Sequence, residues 1–70
     1  MNDDERVMIL ERGLITQKVL KREGYGDLGN ELSELMTNVA NHYFMFDYVT
    51  AKQLVVAIEM EMMERMKNTF

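Results

Sequence analysis

The sequence contains no cysteine, no proline and no tryptophan, and it has one histidine, His42. Without cysteine a short chain has no disulfide to staple it and no thiolate for zinc or redox chemistry, which fits a reducing, cytoplasmic compartment. A single histidine leaves no imidazole pair for a metal, and neither Asn38 nor Val39 supplies the carboxylate that an acid-x-x-His pair requires. His42 therefore reads as an ordinary surface or boundary side chain. Long apolar runs are missing as well: none approaches the ~20 residues that span a bilayer. The opening Met1-Asn2-Asp3-Asp4-Glu5 is acidic where a secretory signal is basic. Neither secretion nor a membrane role is expected. Cations are scarce too, with 8 Lys and Arg against 12 Asp and Glu, and the resulting charge of −4 argues against general affinity for nucleic acid.

What is present is apolar. In 70 residues, 47% are hydrophobic and 29% charged, which separates the chain from disordered tails and places it among globular domains. The length allows one domain over residues 1–70, and a core this small is marginal. With disulfides excluded and no metal site in view, association between copies is the remaining way to add buried surface.

Helix signals recur along the chain. Asn2 or Asp3 can cap a first helix whose first turn holds Asp4 and Glu5 and whose last holds Lys18, Lys21 and Arg22, the order that the helix dipole favours. Gly24 stands where a left-handed cap belongs. A second helix is carried by Leu28, Leu32, Leu35, Met36, Val39, Tyr43 and Phe46, the clearest amphipathic stripe in the chain. Thr50-Ala51-Lys52-Gln53 has the form of a capping box and opens a third helix. That helix is apolar over much more than one stripe. The reading is an all-α single domain, a helical hairpin plus a third helix, with helices at about 3–23, 28–46 and 50–68 and completion by dimerisation.

Candidate chemistry is thin. Gly24-Tyr25-Gly26-Asp27-Leu28-Gly29 spells Gly-x-Gly-x-x-Gly, but the phosphate-binding version follows a strand, and here a helix precedes it. A turn between helices is the simpler account. Glu31 with Glu34, and Glu59 with Glu61 and Glu64, lack the histidine companions or Asp-rich loop of a metal site and read as solvated faces. Arg12, Lys18, Lys21 and Arg22 make a modest basic edge, yet the second helix has no basic residue with which to read DNA bases. No catalytic residue, cofactor site or metal site is assigned, and the chain is not read as an enzyme.

The methionines are more informative. Met60, Met62, Met63 and Met66 concentrate on the third helix, and methionine adapts to surfaces that reshape on binding. Together with the aromatic stretch around Tyr43, Phe44, Phe46 and Tyr48, they suggest an intermolecular face. The interface is assigned to Tyr43, Phe46, Val55, Ile58, Met62, Met63 and Met66, and an aspartate at Ile58 or Met62 is expected to dissociate or unfold the protein. The functional expectation is a small acidic helical protein–protein interaction module, a homodimeric regulator or adaptor whose partner is a protein of unknown identity. The alternative is an inhibitor or decoy for a nucleic-acid-handling enzyme or transcription factor, with Asp3, Asp4, Glu5, Glu59, Glu61 and Glu64 along one surface. Third comes a helical DNA-binding dimer using Lys18, Lys21, Arg22 and Lys52.

Overall fold

Asn2 starts the first helix by a reciprocal arrangement. Its side-chain oxygen accepts from the Glu5 amide at 2.8 Å while its own amide donates to the Glu5 carboxylate at 3.0 Å. Two amide donors that helix geometry would leave unpaired are thereby satisfied. The computed structural model describes residues 1–41 and 47–68, which form α1 (Asp3–Glu23), α2 (Gly26–Ala40) and α3 (Tyr48–Lys67). The described residues contain no strand.

Gly24 ends α1 in the left-handed region, at φ 78°, a conformation in which a Cβ would crowd the backbone. The Gly24 and Tyr25 amides close on the carbonyls of Lys21 and Leu20, at 3.2 and 2.9 Å. Only these two residues separate α1 from α2, so the chain must reverse, and α2 runs back along α1. The Gln17 side chain of α1 donates to the Ser33 hydroxyl of α2 midway along the pair.

Two boundaries differ from the sequence expectation. The second helix begins at Gly26, ahead of the expected residue 28, and its described part ends at Ala40, with the Asn41 amide capping onto Thr37. The expected continuation through Tyr43 and Phe46 falls outside the described residues. The third helix is capped by Asp47 and not by Thr50: the Asp47 carboxylate accepts from the Thr50 amide at 2.8 Å. A carboxylate at the N-terminus gains from the helix dipole as well as from the bond, and starting earlier adds Tyr48 to the helix.

The core lies along the axis of the three helices. Ile9 and Leu20 enter from α1; Leu28, Leu32, Leu35 and Val39 from α2; Ala51, Val55 and Ile58 from α3. On α2 and α3 these positions recur at three- and four-residue steps, which is one face of a helix. Glu59 of α3 meets Arg12 and Thr16 of α1, whereas Arg65 near the end of α3 meets Asp27 at the start of α2. The bundle therefore runs up, down and up, and the near-parallel axes give it the extended shape of 40 × 17 × 16 Å.

α1 packs tightest where it is smallest. Gly13 is buried, and a Cβ placed there would lie 2.7 Å from the Met36 sulfur and 2.9 Å from its Cγ. The missing side chain is the space that Met36 occupies.

Candidate functional site

The third helix presents two faces of opposite fate. Ala51, Val55 and Ile58 face the core, where Val55 is 0% and Ile58 8% exposed. On the opposite side Val49, Gln53, Val56, Met60, Met63 and Lys67 follow one another at alternating steps of four and three. That spacing keeps side chains in one seam on a helix and is the spacing a second helix meets in a coiled coil. Val49 is 59%, Met60 62% and Met63 56% exposed, with Val56 half-buried between them, so among the described residues the seam is largely uncovered. α1 behaves similarly: its buried face holds Ile9, Gly13, Thr16 and Leu20, while Val7, Met8, Leu14 and Ile15 are turned outward.

Of the residues assigned to an interface from sequence, Tyr43 and Phe46 lie outside the described residues. Val55 and Ile58 are consumed by the chain's own core and are absent from the outward face of α3. Met62 is half-buried against that core, and Met66 is half-buried. Met63 alone among the described five is on the outward seam. The signal that would have found its companions Val49, Val56 and Met60 was their shared spacing. It was hidden because apolar residues populate both sides of α3.

Charge is distributed so as to keep carboxylates off the seam from Val49 to Met63. Glu59, on the α1 side, accepts from Arg12 Nη2 at 2.7 Å, from Arg12 Nε at 2.9 Å and from the Thr16 hydroxyl at 2.9 Å. The Arg12 hydrogen bonds hold the Glu59 carboxyl below the usual carboxylate range against the opposing effect of burial, with Thr16 and the guanidinium charge assisting. On the α2 side Arg65 forks onto Asp27 at 2.6 and 2.8 Å and reaches Glu61 at 3.2 Å. The Arg65 bond is the main cause that draws Asp27 down to about 2. Arg65 also lies 5.5 Å from the centre of the Tyr25 ring, and Lys52 5.9 Å from that of Tyr48, both within cation–π range. Between these flanks the seam carries no carboxylate from Val49 to Met63.

The basic edge expected from sequence loses Arg12 to Glu59. Lys18, Lys21 and Arg22 remain exposed on the last turns of α1. Among the described residues no three His, Cys, Asp or Glu side chains converge on a point where a metal could sit. No described helix is long and apolar enough to cross a membrane. Comparison with known proteins gives no match: no family model, no curated protein and no solved structure aligns with this chain.

Proposed function

We propose that this chain is a small acidic helical protein–protein interaction module, a regulator or adaptor without catalytic chemistry of its own, that pairs as a homodimer through the outward face of α3. The supporting observation is the seam of exposed Val49, Met60 and Met63, with half-buried Val56 between them, on the side of α3 opposite the core. An apolar stripe of this length on a domain this small is disfavoured in water, and a second helix is the shape that covers it. Met8, Ile15 and Tyr48 border it across the α1–α3 groove and extend the apolar surface toward α1. Lys67 on the seam favours an antiparallel pair, because a parallel one stacks Lys67 on its own copy. A cysteine-free chain accords with a cytoplasmic setting.

The decoy reading draws less support, because Glu59 and Glu61 are already engaged by Arg12 and Arg65. A DNA-binding dimer draws less again, with Lys52 set over Tyr48. Sedimentation across a concentration series tests the proposal. The wild-type chain is expected to pass from monomer to dimer, and Met60→Glu to stay monomeric with unchanged helix content. A wild-type chain that remains monomeric at hundreds of micromolar rejects the homodimer.

A further inference from the structure

α2 and α3 share the least contact of the three helix pairs, and a groove lies open between them. Two adjoining hollows of about 320 Å³ each make up its length. Leu28, Leu35 and Ile58 form the floor, all three buried. On the α3 side Leu54 stands at the lip, 40% exposed, with Ala57 beside it. The α2 side is polar: Asp27, Glu31, Glu34 and Asn38 follow at steps of four, three and four, a single row along that wall. Arg65 bridges Asp27 and Glu61 at one end. In the middle of the groove, and among the described residues, Glu31 and Glu34 have no cationic partner.

We infer that the α2–α3 groove receives a basic amphipathic helix from a partner protein, which completes a four-helix bundle. An apolar floor between two inclined helices is what the ridge of a further helix fills. The carboxylates Asp27, Glu31 and Glu34 span about 10 Å, roughly two helical turns, and Asn38 extends the polar row to about three turns. The occupant presents apolar side chains at i, i+3, i+4 and i+7 to the floor and Lys or Arg to Glu31 and Glu34. Charge decides against the alternatives. Nucleic acid is repelled by the carboxylate row. The outward face of α1 in a second copy mixes Asp4 and Glu11 with Lys18, Lys21 and Arg22, so it complements a row of carboxylates at one end only, whereas a uniformly basic helix complements the whole row. This inference rests on the interaction-module reading but uses a different side of α3 from the seam that pairs copies.

A synthetic leucine/lysine peptide with leucines at i, i+3, i+4 and i+7, and its leucine/glutamate counterpart, serve as probes against the isotope-labelled full chain. The leucine/lysine peptide is expected to shift the amide resonances of Glu31, Glu34, Leu54 and Ala57 first, and the leucine/glutamate peptide to leave them unmoved. The double variant Glu31→Gln/Glu34→Gln should weaken binding by about five- to tenfold, the worth of two solvent-facing charge pairs. Glu11→Gln/Glu23→Gln changes the net charge equally, away from the groove, and should retain wild-type affinity. Equal weakening by both double variants, equal binding of both peptides, shifts centred on α1 or on the Met60 seam, or no binding would each overturn the inference. Sedimentation of the peptide-free chain reads the pairing of copies separately, so a dimer that ignores the peptide refutes the groove alone.

Discussion

Glu59 joins α3 to α1 through two different partners, and removing its carboxylate should cost more than an ordinary surface ion pair. Thr16 is 5% exposed, and its hydroxyl donates to Glu59 at 2.9 Å. In Glu59→Ala that hydroxyl is left buried without an acceptor, at about 1–3 kcal/mol, while the half-exposed Arg12 pair adds at most ~1 kcal/mol. The expected loss is roughly 2–3 kcal/mol, a large share of the ~4–10 kcal/mol available to a domain of this size. At about 4–8 °C per kcal/mol, the melting temperature followed by circular dichroism should fall by roughly 10–20 °C. Glu59→Gln retains an oxygen for Thr16 and should lose only ~1 kcal/mol. The difference between wild type and Glu59→Gln also depends on pH in a definite direction. The folded carboxyl titrates below its ordinary value of 4.5, chiefly through Arg12. Its contribution is therefore complete above that value and disappears as pH falls through the lower folded one. The gap should stay constant from neutral pH down to about pH 5 and close in stronger acid. A Glu59→Ala cost under ~0.5 kcal/mol, or a Glu59→Gln gap unchanged in strong acid, would show that the pair is ornamental.

Two further substitutions test the α1–α2 hairpin. Gly24→Ala places a Cβ at φ 78° and should destabilise by about 1 kcal/mol, with Gly24→Asn recovering part of it; equal melting temperatures for all three chains would contradict the cap assignment. Gly13→Ala sets a helix-propensity gain of ~1 kcal/mol against overpacking of Met36, for a net loss of about 1 kcal/mol. In the Met36→Ala background the same change should turn stabilising, and a double-mutant cycle in chemical denaturation reads the reversal.

The hairpin was legible in the sequence because its punctuation is local. Asn2 with Glu5, and Gly24 at the other end, bracket α1, and Leu28, Leu32, Leu35 and Val39 mark the buried face of α2 without competitors. Orientation failed where both sides of a helix are apolar. On α3, Val55 and Val56 are neighbours of identical chemistry, yet the first is fully buried and the second partly exposed; which one turns inward depends on where α1 and α2 lie. On α1 the expected order is reversed, with Gly13 and Thr16 inside and Leu14 and Ile15 outside. Thr16 is tolerated inside because Glu59, 43 positions later, accepts the hydrogen bond of its hydroxyl. The two cross-helix carboxylate clasps join residues 47 and 38 positions apart, separations over which no local pattern carries information.

The two-residue turn between α1 and α2 also sets an order of events for folding. Contacts across that turn are short in sequence and close cheaply, whereas every contact that α3 makes with α1 closes a loop of dozens of residues. The hairpin is thus placed to form early and α3 to dock onto it late. α3 then shares less contact with either neighbour than they share with each other, which makes it the first element to detach in a partial opening. Its amides should exchange with solvent through a smaller free-energy gap than those at the Gly13–Met36 contact. In the detached state Leu28, Leu35 and Ile58 are bared together, and any binder of α3 or of its groove would act as a clamp on that slow, reversible loss of the third helix.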